Sequence, residues 1–250
     1  MQDRYAGDIG DFSKFSLLKA LNAAQLGIVW YRYPDESHNS DGHHTHYLNQ
    51  QPYRQCDAAL CNSMQRVTES RERSIAALEQ TVTDYLPAGT RYFGELCHFH
   101  KQYPGQARAA QSAREQARVE WLQRALEVVE GCDVVCLDPD NGLEVASCSK
   151  LSQSKAGKYA FLHEIEAFAK RHDLVVLYQH LSRQGSHQQQ IRQRVDQLEQ
   201  RLGRGYEVSS IHFRRYSARA YLLIGKQGKM EAYRQRIDAY LEGCCGFMWK

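Results

Sequence analysis

Three short apolar runs, interleaved with helical periodicities, constrain this chain more than any other feature. LGIVWYRYP (26–34), CDVVCLD at the start of 132–142, and DLVVLYQHL (173–181) lack the in-out alternation of a half-solvated strand. Runs of this kind form strands covered on both faces, as in a parallel sheet. The stretch 91–99 is read as a further strand. Between these runs the apolar residues recur at helical spacing. Phe12, Phe15, Leu18 and Leu21 follow Asp11, read as an N-cap, and predict a helix over 12–25. Residues 62–86 predict a second helix. Residues 106–130 predict a third, with Ala113, Ala117, Trp121, Leu122, Ala125 and Val129 along its buried side. Further helices are expected over 158–171, 186–203 and 228–242. YEVSSIHFRR and RAYLLIGK lie a few residues apart near the end and read as a hairpin. The expectation is an α/β layered fold with a mainly parallel sheet and a C-terminal antiparallel hairpin. Without a linker or repeat, 1–250 reads as one domain, with 35–90 as a loop and helical insertion.

Hydrophobic residues make up 42% and charged residues 24%, an ordinary globular balance that excludes disordered, collagenous and coiled-coil chains. A net charge of +3 is too small to identify a nucleic-acid or membrane partner, so such signals must be local. The first twenty residues interleave charge with apolar groups, and nothing later approaches the ~20 apolar residues of a membrane span. A cytoplasmic protein with no membrane partner is expected. On that basis the eight cysteines are read as reduced thiols, with Cys132 and Cys136 in the core. Cys244-Cys245 is too close-set for a Cys-x-x-Cys site.

In open α/β sheets ligands bind beyond the carboxyl ends of the strands, where strand order reverses. That rule selects Asp35 after the first run, Asp138-Pro139-Asp140-Asn141-Gly142 after the middle one, and Gln179, His180 and Arg183 after the next. Asp138 and Asp140, two apart, would point the same way in extended chain and could share a divalent cation. A second constellation, Ala6-Gly7-Asp8-Ile9-Gly10-Asp11-Phe12-Ser13-Lys14, leads two glycines and two aspartates into a helix. It is read either as an anion or cofactor cradle or as a capped helix start. His38, His43, His44 and His46, like Cys97, His98 and His100, lack zinc-site spacing and read as solvated. From 183 to 219 eight arginines face three acidic residues, with Tyr206, Phe213 and Tyr216 interleaved. Such a stretch can follow phosphates and stack bases.

The two segments together resemble the Rossmann-like adenine methyltransferases that modify the exocyclic amine of an adenine in large-subunit ribosomal RNA. That family begins with Ala-Gly-x-x-x-Asp-x-x-Lys, matched by Ala6, Gly7, Asp11 and Lys14, and carries Asp-Pro-Pro-Tyr at a central strand end. Here Asp138-Pro139-Asp140-Asn141 stands in that place, followed by Lys158-Tyr159 and a strand ending Tyr178-Gln179-His180. YRYPDESHNSDG replaces the family's glycine-rich loop. The resemblance implies a methyltransferase-type Rossmann-like fold and S-adenosylmethionine as cofactor, with Asp35 or Asp41 able to hold a ribose.

Three readings stay open. In a methyltransferase-like enzyme acting on nucleic acid or a nucleotide, Asp138 and Asn141 orient the reacting group and Lys14 or Arg183 meets phosphate. Asp8, Asp11, Lys14 and Asp35 then face the cofactor, and Gln179, Arg183, Arg214 and Arg219 the substrate. In a metal-dependent nuclease or phosphohydrolase, Asp138 and Asp140, with Asp8 or Asp11, hold magnesium and His180 moves the proton. In a non-catalytic protein on a degenerate methyltransferase fold, the arginine-rich stretch holds RNA or DNA.

Overall fold

The computed structural model describes residues 1–36, 42 and 44–249. Helix α1 (Ile9–Ala20) starts at Ile9 because Asp8, not Asp11, is its cap. The Asp8 carboxylate accepts from the Gly10 and Asp11 amides at 2.6 and 3.3 Å. Strand β1 (Leu26–Trp30) follows. The polar stretch beyond it contains a 3-10 turn (His46–Asn49) and helices α2 (Gln51–Cys56), α3 (Ala58–Glu69) and α4 (Ile75–Val82). The single helix expected over 62–86 is thus divided: the backbone turns extended at Ser70, and Ser74 restarts the helix by accepting from the Ala77 amide at 3.2 Å. Next come β2 (Arg91–Phe93), α5 (Phe99–Gln102), α6 (Arg108–Val128), β3 (Val134–Asp138) and a short parallel pair, β4 (Gly142–Leu143) with β5 (Tyr159–Ala160). Then follow α7 (Leu162–Arg171), β6 (Leu174–His180), α8 (His187–Leu202), β7 (Tyr206–Phe213), β8 (Arg219–Lys226) and α9 (Met230–Glu242). The run expected as a strand over 91–99 pairs only to Phe93, with an isolated bridge from Leu96 to Arg32.

The main sheet runs β2-β1-β3-β6-β8-β7. The first four strands are parallel, and β8 is antiparallel to both neighbours. This is the α/β, Rossmann-like sheet with the antiparallel hairpin expected from the sequence. The hairpin joins the sheet through its second strand, so β8 is interior and β7 forms the edge.

Successive strand residues feed opposite sides of the sheet, which explains the unbroken apolar runs. Ile28, Val134, Cys136, Val176 and Leu223 join Phe12 and Phe15 of α1, Met64 of α3 and Ile237 of α9. Val29, Val135, Leu137, Val175 and Ile224 join Trp121 of α6, Ile165 of α7 and Leu198 of α8. The insertion contributes Leu60, Met64, Val67 and Leu78 to the first cluster, so its helices extend the common core.

Two sequence expectations are corrected here. The inward face of α6 is centred on Arg114, Arg118, Trp121 and Ala125, not on Ala113 and Ala117. Arg118 forms a fork on Glu164 at 2.6 and 2.9 Å, to which Tyr31 also donates at 3.2 Å. Arg114 holds the carbonyls of Ser152, Tyr103 and Gly105. A periodicity count treats arginine as surface, whereas Arg118 neutralises the buried Glu164 and Arg114 satisfies three backbone carbonyls. The cysteines are not all thiols either. Cys56 and Cys245, 189 residues apart, form a disulfide where the end of α2 meets the C-terminal segment. Among the described residues no helix is long and apolar enough to cross a membrane.

Candidate functional site

Strand order reverses between β1 and β3, so their carboxyl ends frame the crevice where this fold class takes ligands. Trp30 and Asp138 lie in register at that end. Both sequence constellations arrive here. Gly7 turns the chain at φ +78°, a conformation open to glycine, and its amide donates to Asp11 Oδ2 at 2.8 Å. One helical turn on, Lys14 Nζ donates to Asp11 Oδ1 at 2.7 Å and to Asp138 Oδ2 at 3.0 Å, and lies 4.6 Å from the Trp30 ring centre. Lys14, Asp11 and Asp138 are 2%, 1% and 4% exposed. Burial raises the pKa of both carboxyls, against the lowering by Lys14. Burial depresses Lys14, but its two carboxylates outweigh that and hold it above its ordinary value.

Asp140 turns elsewhere. Its Oδ2 accepts from Gln2 Nε2 at 2.7 Å and lies 3.8 Å from Lys158 Nζ, while the Met1 nitrogen is 2.6 Å from Oδ1. Lys158 also pairs with Glu36. The two aspartates expected to point together therefore meet different cations. Among the described residues no three His, Cys, Asp or Glu side chains group to hold a metal. With Lys14 between Asp11 and Asp138, these donors do not fit a magnesium ion.

The remaining site expectations divide. The Asn141 amide donates to the Lys158 carbonyl at 2.9 Å, and its own carbonyl accepts from Gln179 at 3.2 Å. Gln179 also accepts from the Leu143 amide at 2.9 Å and fills the space a side chain at Gly142 would need. Gln179 is therefore scaffolding for the loop, not a phosphate contact. Asp8 is a helix cap, as above. Asp35 accepts from the Arg4 amide at 3.3 Å. Asp41, His38 and His43 lie outside the described residues. His44 lies 5.6 Å, ring to ring, from Tyr216; Cys97 is buried beside Arg118; and His98 stands 4.6 Å from the Tyr33 ring. His180 ends β6 in register with Arg219. Arg219 is 4% exposed: it donates to Ser217, packs between Tyr178 and Phe213, and crowds Gly10.

The arginine-rich stretch does not form one stripe. Arg194 donates to the Glu144 carbonyl, Arg201 pairs with Glu166 at 2.6 Å, and Arg204 lies before β7 at the opposite end of the sheet. Arg183, Arg214 and Arg215 are exposed at the strand tips, and Arg215 also donates to the Phe247 carbonyl at 3.4 and 3.2 Å. Tyr216 follows Arg215; it is 41% exposed, at φ +63°, and accepts from Gln50 Nε2 at 2.9 Å. A tyrosine at positive φ is uncommon and points to a local constraint.

Sequence reasoning missed the segment that lies across the crevice. The Met1 nitrogen donates to the Tyr31 carbonyl at 2.7 Å, the Tyr33 amide returns to the Met1 carbonyl at 2.9 Å, and Gln2 exchanges hydrogen bonds with Glu36. Residues 31–36 contain no glycine and, among the described residues, open no helix directly after β1. The described residues 31–36 therefore offer no glycine cradle for S-adenosylmethionine. No positional signal in Met1-Gln2 announces this contact. Comparison of the chain with family models, curated proteins and solved structures finds no match.

Proposed function

We propose that this chain binds nucleic acid or a nucleotide at its strand tips, on a methyltransferase-type scaffold whose cofactor crevice is closed by its own residues 1–2. The carrying observation is the tip rim itself: Arg183, Arg214 and Arg215 are exposed, and Tyr216, an exposed aromatic at positive φ, directly follows the last two. Guanidinium groups meet phosphates, and an exposed ring offers a stacking surface for any base. The methyltransferase-like reading keeps one supporting observation. Lys14 joins the two segments that carry the resemblance, 124 residues apart. Weighing against it, Asp138 faces Lys14 rather than an incoming amine, and the lining after β1 does not suit the methyl donor. The reading is therefore one of binding, with no step routed through that donor.

Fluorescence anisotropy with short labelled single-stranded RNA and DNA tests this. Three phosphate contacts should weaken binding about twentyfold between about 50 and 200 mM salt. Tyr216→Ala should cost about 1–3 kcal/mol of binding at fixed salt. Affinity indifferent to salt, or no binding at low salt, would overturn the reading. Calorimetry with S-adenosylmethionine should give no heat, and a clear isotherm would restore the transferase reading.

A further inference from the structure

A second feature lies on the other side of the sheet from α1. Between the first turn of α8 and the edge strand β7 is a cleft of about 680 Å³, lined by Ser186, His187, Gln188, Ser210, His212 and Arg214 together with two aliphatic residues. No carboxylate contributes to its wall. The His187 and His212 rings meet edge to face at 5.4 Å. His212 Nε2 is shielded from solvent and has no hydrogen-bond partner among the described residues. Burial, with Arg214 and His187 beside it, lowers the pKa of His212. Ser186 caps α8 by accepting from the Gln189 amide, and among the described residues nothing accepts from the His187 and Gln188 amides.

We infer that this cleft is a binding site for the phosphate group of a nucleotide-sized molecule. A guanidinium, two imidazoles, two hydroxyls and a helix start converge from α8 and β7, and a tetrahedral oxyanion accepts from several directions at once. A bound anion would balance the Arg214 guanidinium, which no carboxylate of the wall offsets. The volume is that of a small-molecule site rather than of a lone ion. The cleft uses neither Lys14 nor Asp138 nor Tyr216, so it does not depend on the nucleic-acid reading, although Arg214 borders both.

The test is solution NMR of the histidine rings in the full chain, at constant ionic strength set with chloride. The probes are inorganic phosphate and a nucleoside 5′-monophosphate. Both should move the His187 and His212 ring signals while leaving His172 still, and Arg214→Ala, an exposed substitution, should abolish the movement. Monophosphate binding about tenfold tighter than inorganic phosphate is the expected result, and equal affinity would overturn the assignment to a nucleotide-sized ligand. Unmoved rings at about 20 mM of either probe would overturn the inference, as would movement undiminished in Arg214→Ala. The Tyr216→Ala variant separates the two proposals: it should weaken oligonucleotide binding and leave the phosphate shifts intact.

Discussion

Lys14→Met is expected to lower folding stability by about 3–5 kcal/mol, because it strands two buried carboxylates around an apolar side chain. Lys14 is the shared cation of Asp11 and Asp138, and all three are buried. Asp138→Asn should cost far less, because it keeps an acceptor for Lys14 and leaves Asp11 as counterion. The pH dependence follows from the shifts. Asp11 and Asp138 have folded pKa values above the model-peptide 3.8, so they bind protons more tightly folded than unfolded. Their contribution favours folding at acid pH and is lost as pH rises through the folded values. Lys14 is raised above 10.5, so its contribution is complete below that value and declines only beyond it. Removing Lys14 drives both carboxyls further up. The deficit of Lys14→Met should therefore be largest near neutrality and shrink as the carboxyls protonate. Urea unfolding across pH measures this, and a small deficit independent of pH would show that the cluster carries no buried charge.

Reducing the Cys56–Cys245 disulfide is expected to have an effect of similar size. It closes a separation of 189 residues, for which loop entropy gives an upper figure of about 5 kcal/mol. The segment it anchors covers part of the sheet edge: Trp249 bridges Phe213, and the Met248 carbonyl accepts from the Arg214 amide at 3.2 Å. Reduction should therefore lower the unfolding midpoint and loosen the residues around Arg214 and Tyr216. Six thiols should titrate in the denatured, unreduced protein and eight after reduction. Eight from the outset would remove the bridge and return the cysteines to the fully reduced reading that the expected cytoplasmic location implied.

Strand identity was legible because three interior strands are covered on both sides, and nothing but apolar residues satisfies that. Helix boundaries were less so. Asp8 and Asp11 are both credible caps three residues apart, and the choice depends on which carboxylate Lys14 claims. Of the site, the resemblance put the two segments in one place, but the pairing of Lys14 with Asp138 was not legible, since Lys14 was assigned to a phosphate or cofactor. Nor were the roles of Gln179 and Arg219. Both are polar residues at strand ends, and whether they face ligand or backbone is decided by Gly142 and Gly10, which leave room for them. The arginines of 183–219 share a stretch of sequence but not a surface, since α8 carries its charges from one end of the sheet to the other.

The interior place of β8 has a consequence during synthesis. Ser13 of α1 shares a hydrogen bond with Tyr221 of β8, 208 residues later. At about 5–20 residues per second a ribosome takes roughly 10–40 s to bridge that interval. Over that time the oily side of α1 would lie open to aggregation. Phe12, however, contacts Tyr47 and Tyr53, at 5.3 and 5.6 Å between ring centres, and these emerge soon after it. The insertion thus serves as a built-in early shelter for a helix whose permanent partner is among the last to arrive.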